Sequence, residues 1–272
     1  MASVYLRILV EYKMLRPRVI PCLLLHNKGL YKTVNFKNHR YVGDPINAVK
    51  IFNEKESDEL IVLDIDCTVS GSEPNFKLIE KLAAECRMPL AYGGGIKNIT
   101  QAKRIFGLGV EKICLGSVVL DTPEIIKDLA DQVGSQSVVV ILDYKKKRFG
   151  GYDLYTHNAK RKWNIDLFEF ASYCEKLGAG EIVLNSIDRD GTGKGYDIEL
   201  LGKLRKLVDI PITVLGGAGS LDDMKEVVKS FPIVGLAAGS LFVFKGQYRA
   251  VLINYPGKLF KDSLHIDSNV PK

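Results

Sequence analysis

A chain of 272 residues, of which 46% are hydrophobic, is long enough for one large domain or two small ones with a substantial core. The net charge is +6, a mild excess that would help to recruit anionic small molecules, but no long basic tract suggests a nucleic-acid partner. Five cysteines without CxxC spacing, and no apolar stretch as long as a membrane span, predict a reduced cytoplasmic protein with no membrane partner.

Eight short apolar runs rich in β-branched residues follow one another along the chain. Most are separated by segments with helical periodicity, such as residues 76–84 and 167–177. Runs this apolar are typical of strands buried on both faces of a parallel sheet. The predicted strands are Val19–Leu25, Leu60–Ile65, Leu90–Gly93, Ile113–Gly116, Val138–Asp143, Ile182–Ile187, Ile212–Gly216 and Val234–Ala238.

Eight alternations of strand and helix in about 250 residues predict an α/β fold of the TIM (β/α)8 barrel type. A doubly wound open sheet is the alternative, but it usually has fewer strands, and no GxGxxG motif follows any of these runs. We expect residues 1–15 to form a short N-terminal extension, residues 16–255 the barrel, and residues 256–272 a polar tail that frays.

The chain also repeats itself at an offset of 122 or 123 residues. The segment 58–63 resembles 180–184, the glycine cluster 93–96 resembles 216–219, and the pair Gly116-Ser117 resembles Gly239-Ser240. One offset that holds across three motifs predicts two half-barrels of four βα units each.

Glycine clusters fall at the carboxyl ends of the predicted strands, which is where TIM barrels place their chemistry. Glycine lets backbone N–H groups approach an anion closely, and a neighbouring serine adds a hydroxyl donor. These glycines could instead serve only tight turns, but two symmetric clusters at one end favour two phosphate sites. The residues concerned are Gly95, Gly116 and Ser117 in the first half and Gly217, Gly239 and Ser240 in the second.

The segment Asp188-Arg-Asp-Gly-Thr192 follows the sixth predicted strand. Asp188 and Asp190 could bind a metal ion or cap the next helix, but we favour a hydrogen bond between Asp190 and a polar substrate. The four histidines are scattered, without a serine or cysteine partner motif, and the P-loop spacing is absent. The sequence therefore predicts neither a metal site nor a cofactor.

Many of these segments resemble one family. They are similar to the cyclase subunit of imidazole glycerol phosphate synthase, HisF, over residues 16–244, and the run Ser186 to Thr192 is highly specific. The resemblance implies a half-barrel-duplicated TIM barrel that pairs with a glutaminase subunit, HisH. Ammonia would pass through the barrel core to a phosphoribulosyl ribonucleotide. The segments are 19–23, 43–45, 58–60, 63–65, 93–96, 134–136, 178–181, 186–192, 195–197 and 216–219.

The resemblance also assigns roles to individual residues. It implies that Gly95 and Ser117 contact one phosphate, that Gly191, Gly217 and Ser240 contact the other, and that Lys32 lies on a mobile loop after the first strand. A ring of charges at the opposite end, where ammonia enters, is matched by Arg18, Glu59, Lys112 and Glu181.

The family uses two aspartates as general acid and base, and this chain retains only one. Asp143 matches the aspartate of the fifth strand, whereas Leu24 stands where the aspartate of the first strand is expected. A leucine cannot transfer a proton. His26 is not a ready substitute, because it lies at a different depth along the strand.

Other segments, including 21–25, 41–48, 51–55 and 239–244, resemble the HisF-like proteins of surface-polysaccharide clusters, which are linked to acetamidino groups on nucleotide-linked sugars. There a HisH-like glutaminase makes ammonia, and a separate ATP-dependent sugar amidotransferase is the third component. Our first hypothesis is therefore an ammonia-handling barrel for sugar amidination in lipopolysaccharide biosynthesis. The alternatives are an authentic histidine-pathway cyclase, against which Leu24 weighs, and a non-catalytic scaffold that activates the glutaminase, against which Asp143 weighs.

Overall fold

In the computed structural model, residues 16–266 are described, so the predicted extension 1–15 lies outside the described residues. Eight parallel strands close into a barrel because the last pairs with the first, and each overlaps one predicted strand. The predicted TIM barrel is confirmed. Its strands are β1 (Arg18–His26), β4 (Leu60–Asp64), β5 (Leu90–Gly93), β6 (Lys112–Leu115), β7 (Val138–Lys146), β10 (Glu181–Ser186), β11 (Ile212–Leu215) and β12 (Gly235–Ala238).

Helices pack around this barrel, and polar side chains begin several of them. Asn98, Asp166 and Ser220 each accept a hydrogen bond from a first-turn N–H group. None of the described helices is long and apolar enough to cross a membrane. The helices are α1 (Pro45–Glu54), α2 (Cys67–Ser70), α3 (Phe76–Glu85), α4 (Ile99–Gly107), α5 (Ser117–Asp121), α6 (Ile125–Val133), α7 (Leu167–Lys176), α8 (Ile198–Leu204), α9 (Leu221–Ser230), α10 (Ser240–Val243) and α11 (Lys258–Ile266), with a 3-10 turn at Ser135–Ser137.

The barrel has two separate apolar layers, because successive side chains of a strand face opposite sides. The larger layer fills the space between strands and helices. The smaller layer fills the barrel interior, and it consists mostly of small or medium side chains. Its buried members are Ile20, Cys22, Ile61, Ala91, Cys114, Val139, Ile141, Val183, Leu215 and Ala237.

Two antiparallel hairpins extend the barrel at its carboxyl end, and the sequence did not predict them. Strands β2 (Gly29–Val34) and β3 (Lys37–Gly43) continue from β1, whereas β8 (Tyr152–Thr156) and β9 (Arg161–Trp163) continue from β7. The turn residues 35–36 and 157–159 all have positive φ, between 52° and 62°. Because β1 and β7 begin the two half-barrels, the hairpins belong to the same internal duplication.

We expected the polar segment after Tyr255 to fray, but its described part forms α11 over residues 258–266. Residues 267–272 lie outside the described residues. Leu264 is buried in the outer core, and Lys261 forms an ion pair with Asp58 at 2.9 Å. The Tyr255 hydroxyl donates to the Val19 carbonyl at 2.8 Å. One apolar face is therefore enough to hold this helix at the amino end of the barrel. A short hairpin of β13 (Phe244–Lys245) and β14 (Ala250–Val251) precedes it.

Candidate functional site

A cavity of about 450 Å³ lies at the carboxyl ends of the barrel strands. The parallel strands all end on this side, so residues that are distant in sequence meet around one opening. All ten residues that we predicted to be catalytic or substrate-binding line this cavity. They are Lys32, Gly95, Gly116, Ser117, Asp143, Asp190, Gly191, Gly217, Gly239 and Ser240.

Asp143 is the titratable carboxyl group of the cavity with the clearest chemical use. It projects inward from β7 and is half-buried, and the side-chain amide of Asn185 donates to its Oδ1 at 2.7 Å. Burial raises the pKa of Asp143 to about 7, although the Asn185 hydrogen bond acts in the opposite direction. A carboxyl group that is present in both protonation states near neutral pH suits proton transfer.

Leu24 lines the same cavity and presents an apolar surface there, together with Leu63 and Leu215. His26, two residues further along β1, does not take over its place. The His26 Nδ1 atom lies 2.5 Å from an Asp66 carboxylate oxygen, and the imidazole ring stacks on His39. His26 is also absent from the described residues that line the cavity.

Lys32 lies on a strand, whereas we had expected it on the loop after the first strand. It lies within β2, which pairs with β1, and its side chain is only 4% exposed. Its ammonium group donates to the Cys22 carbonyl and lies against Gly239, where a Cβ atom would come within 2.6 Å of Nζ. Burial lowers the pKa of Lys32. Strand pairing has therefore placed a cation inside the cavity.

The turn of the first hairpin closes on the loop that follows β10. Thr33 and the Phe36 N–H group donate to one oxygen of Asp190 at 2.6 and 3.1 Å, and the Asn35 side chain donates to the Ile187 carbonyl at 3.0 Å. Phe36 holds φ at +61°, a conformation that bulky residues rarely adopt and that these contacts stabilise.

Asp190 therefore holds the hairpin with one carboxylate oxygen. It also lines the cavity, and the expected contact between Asp190 and the substrate stays a prediction. Burial raises the pKa of Asp190, against the lowering effect of Thr33 and Phe36. Asp188 accepts instead from the Lys146 N–H group at 3.0 Å, so the two aspartates do not converge on one point. Among residues 16–266, no three histidine, cysteine or acidic side chains are grouped so that they could hold a metal ion.

The second hairpin makes the corresponding contact on the other side of the cavity. Asn158 donates to the Ile65 carbonyl at 3.0 Å, and Arg161 forms an ion pair with Asp121 at 3.1 Å. Ile65 and Ile187 are 122 residues apart, which is the repeat offset found in the sequence. The cavity thus has two covering hairpins related by the duplication, and Phe36 and His157 at their turns both line it.

Packing explains some of the glycines in the two predicted phosphate sites but not all of them. Gly217 has φ +109°, and a Cβ atom there would lie 2.0 Å from the Gly195 carbonyl oxygen, so packing alone demands glycine. No atom lies within 4 Å of a Cβ atom placed on Gly116, so open space faces this position. Gly116 is therefore the glycine whose identity packing does not explain.

Both predicted phosphate sites lie where a short helix begins. Helices α5 and α10 start at Ser117 and Ser240, and no side chain caps their first N–H groups. Arg249, which we did not predict, contacts the second site through Ser240 Oγ at 3.4 Å and the Gly191 carbonyl at 3.3 Å. Thr33, Asn158 and Asn185 were missed as well, because no sequence motif distinguishes them.

The four residues predicted to form a charge ring meet at the amino ends of the strands. Arg18 donates to Glu59 and, at 2.7 Å, to Glu181; Lys112 donates to Glu59 at 2.8 Å and to Glu181 at 3.0 Å. Burial alone would raise the pKa of Glu181, but Arg18 and Lys112 lower it overall. The charge ring, defined as Arg18, Glu59, Lys112 and Glu181, is separated from the cavity by the inner apolar layer.

The chain is similar to known proteins over most of its length. The family described as "Histidine biosynthesis protein" matches residues 18–249. An imidazole glycerol phosphate synthase subunit of Vibrio vulnificus (strain YJ016), provisionally named hisF3, is 58% identical over 246 residues, which cover 90% of this chain and 95% of the relative. A hisF2 subunit of Pseudomonas aeruginosa, also provisionally named, is 50% identical over 243 residues, or 89% of this chain and 97% of the relative.

A third relative is the imidazole glycerol phosphate synthase subunit HisF of Lactococcus lactis subsp. lactis (strain IL1403). It is 39% identical over 230 residues, which cover 84% of this chain and 89% of the relative. The family match and these three relatives each span most of the barrel. This chain therefore belongs to the HisF family of imidazole glycerol phosphate synthase subunits.

Proposed function

We propose that this chain is the ammonia-accepting barrel subunit of an imidazole glycerol phosphate synthase-type complex, and that its substrate carries an anionic group at each end. One observation carries the proposal. The barrel has a closed charge ring at one end, a cavity with Asp143 at the other, and a layer of small and medium-sized apolar side chains between them. Such an arrangement suits a small neutral molecule that enters at the ring and reacts in the cavity.

The apolar interior favours ammonia over the ammonium ion. A desolvated cation is costly to bury, so proton loss at the ring would precede passage along Ile20, Ala91 and Ala237. In the cavity, the two groups of glycine and serine N–H donors would hold the anionic ends of the substrate. The two hairpins would limit the access of water, so that ammonia rather than water attacks the substrate.

Asp143 would then carry the proton transfers that follow the attack of ammonia on carbon. The attacking nitrogen must lose a proton, which the Asp143 carboxylate accepts, and the protonated carboxyl group can return it to a leaving group. Lys32 lies beside Gly239 at the second anion site, where its cation would counter the charge of the substrate. Leu24 contributes no proton to this chemistry.

One of two candidate substrates is the histidine-pathway ribonucleotide. The family match over residues 18–249 and the 39% identity to the Lactococcus lactis subunit support it. The second candidate is amidination of a nucleotide-linked sugar in lipopolysaccharide biosynthesis, which Leu24 favours. An acetamido carbonyl needs ATP for activation and this sequence has no nucleoside-triphosphate motif, so that reaction would require a further amidotransferase.

A glutaminase experiment tests the proposal itself, independently of the substrate. The purified chain is mixed with its cognate HisH-like glutaminase, and glutamine hydrolysis is measured with and without the barrel. We expect a stable complex and faster hydrolysis. Lys77→Ala, an exposed change on α3 outside the ring and the cavity, serves as the control and should behave like wild type. If the barrel neither binds nor stimulates the glutaminase, the proposal fails.

A further inference from the structure

The four residues of the charge ring have a polar but uncharged neighbour, the side chain of Thr213. This residue lies on β11, and it is fully buried. Its hydroxyl group donates to Glu181 Oε1 at 2.5 Å and lies 3.5 Å from an Arg18 nitrogen that points toward it. Thr213 therefore touches both an acid and a base of the ring, although it carries no charge.

The neighbouring strand leaves room for this hydroxyl group. Gly235 on β12 is the strand partner of Thr213, and a Cβ atom on Gly235 would lie 1.7 Å from Thr213 Oγ1. Any other residue at position 235 would displace the hydroxyl group. A buried hydroxyl group is costly unless it is hydrogen-bonded, so the pair of Thr213 and Gly235 makes sense only with Glu181 beside it.

As a result, the two acidic residues of the ring, Glu181 and Glu59, accept different numbers of hydrogen bonds. Glu181 accepts from Thr213, from Lys112 and twice from Arg18, so each of its oxygens accepts two hydrogen bonds. Glu59 accepts one hydrogen bond from Arg18 and one from Lys112. A carboxylate that accepts four hydrogen bonds is fixed more firmly than one that accepts two.

We propose that Thr213 is a positioning residue of the charge ring, whose hydroxyl group fixes Glu181 so that the ring opens at Glu59 and not at Glu181. The functional part of this inference rests on the proposed passage of ammonia through the ring. The orientation of Glu181 by Thr213 does not depend on that function. Thr213 acts only through Glu181 and touches neither substrate nor ammonia.

The titration of Glu181 provides a direct measurement. The groups that face it are Arg18, Lys112, Glu59, the Thr213 hydroxyl group and the Cys114 thiol of the next layer. Burial alone would raise the pKa of Glu181, whereas the two cations and the Thr213 hydrogen bond lower it. Loss of that one hydrogen bond should therefore raise the pKa of Glu181, while its ion pairs remain.

The experiment compares Thr213→Val, which has the same shape without the hydroxyl group, with Thr213→Ser, which keeps the hydroxyl group. The side-chain carboxyl carbons of glutamate are labelled with 13C and followed by NMR through a pH titration, and Glu181→Gln assigns the signal. We expect the Glu181 signal of T213V to titrate at higher pH than in wild type, and that of T213S to stay at the wild-type position. Equal titration of T213V and wild type would overturn the proposal.

A second variant covers the case in which T213V does not fold. In Gly235→Ala the new methyl group displaces the Thr213 hydroxyl group without removing it, so the pKa of Glu181 should rise as in T213V.

The role of Thr213 in the function of the ring is tested in the glutaminase complex. There T213V should reduce the stimulation of glutamine hydrolysis roughly tenfold, as expected for one lost hydrogen bond to a charged group, and T213S should retain it. Unchanged stimulation in T213V would overturn the role of Thr213 in the ring's function. If the wild-type barrel gives no stimulation, the proposed function fails, and the titration still decides whether Thr213 positions Glu181.

Discussion

The side-chain amide of Asn185 donates to Oδ1 of Asp143 across 2.7 Å, and the two residues are direct partners on the adjacent strands β10 and β7. Both side chains therefore face the cavity from the same height in the barrel. An amide does not titrate, so Asn185 orients the carboxyl group without competing for its proton. Among the described cavity residues, Asp143, oriented by Asn185, is therefore the best-defined group for proton transfer.

Replacing Asp143 should remove most of the synthase activity. With whichever of the two candidate substrates wild type turns over, we expect Asp143→Asn to lower the rate about 10²- to 10⁴-fold, which is the usual effect of losing one general acid–base group. Because the pKa of Asp143 is raised to about 7, the pH–rate profile of wild type should bend near pH 7, and the variant should lose this bend. Residual activity above about one-tenth of wild type would contradict a proton-transfer role.

The same substitution should also change how stability depends on pH. In the unfolded chain Asp143 has an ordinary pKa of 3.8, whereas the folded protein raises it to about 7, so folding favours the protonated form. Its stabilising contribution is therefore complete below about pH 4 and is lost as the pH rises through 7. Between pH 5 and pH 8, the unfolding free energy of wild type should therefore fall relative to that of Asp143→Asn, as measured by urea denaturation. A constant difference between the two proteins across that range would refute the raised pKa.

The apolar surface at Leu24 predicts poor turnover of the histidine-pathway ribonucleotide. With ammonium salts as the nitrogen source, we expect little or no cyclase activity from wild type, because the second acid–base group is missing. Leu24→Asp should raise this activity, since Asp143 and the anion sites already line the cavity. Leu24→Asn, which is polar but cannot transfer a proton, is the matched control. Full cyclase activity in wild type would instead favour the histidine-pathway substrate and remove the main support for sugar amidination.

The two hairpins should loosen independently, because each is tied down by its own contacts. Thr33→Val removes the 2.6 Å hydrogen bond to Asp190, and Asn158→Ala removes the 3.0 Å hydrogen bond to the Ile65 carbonyl. We expect faster amide hydrogen exchange over residues 29–43 in the first variant and over residues 152–163 in the second. Each variant serves as the control for the other. Exchange that rises in both hairpins with either variant would show that they move as one unit.

Anions should bind at both halves of the cavity. Crystals grown in phosphate or sulfate should show density beside Gly95 and Ser117 and beside Gly217 and Ser240, where uncapped N–H groups begin α5 and α10. Arg249→Gln should weaken the second site alone, because the guanidinium group contacts Ser240 and Gly191. Water alone at both places in high sulfate would rule out the two-anion substrate.

Local sequence patterns were enough to predict the barrel and the end at which its cavity lies. The apolar runs predicted all eight barrel strands, and no predicted end differs from the observed one by more than three residues. Gly116, Asp143 and Ser240 could be placed at one end because every parallel strand of a barrel ends there. The family resemblance predicted the charge ring of Arg18, Glu59, Lys112 and Glu181. These residues meet because three of them begin barrel strands and Glu59 directly precedes one.

The sequence by itself therefore determined the barrel, its duplication and the end at which its cavity lies, since these follow from short periodic patterns repeated along the chain. Only the tertiary structure decided that Lys32 is buried, that Asp190 holds a hairpin and that Thr213 supports Glu181. Thr33 and Asp190 are 157 residues apart, and Thr213 and Glu181 are 32 apart on neighbouring strands. No periodicity encodes such pairs, because each depends on the exact register and depth at which two separate segments meet in the closed barrel.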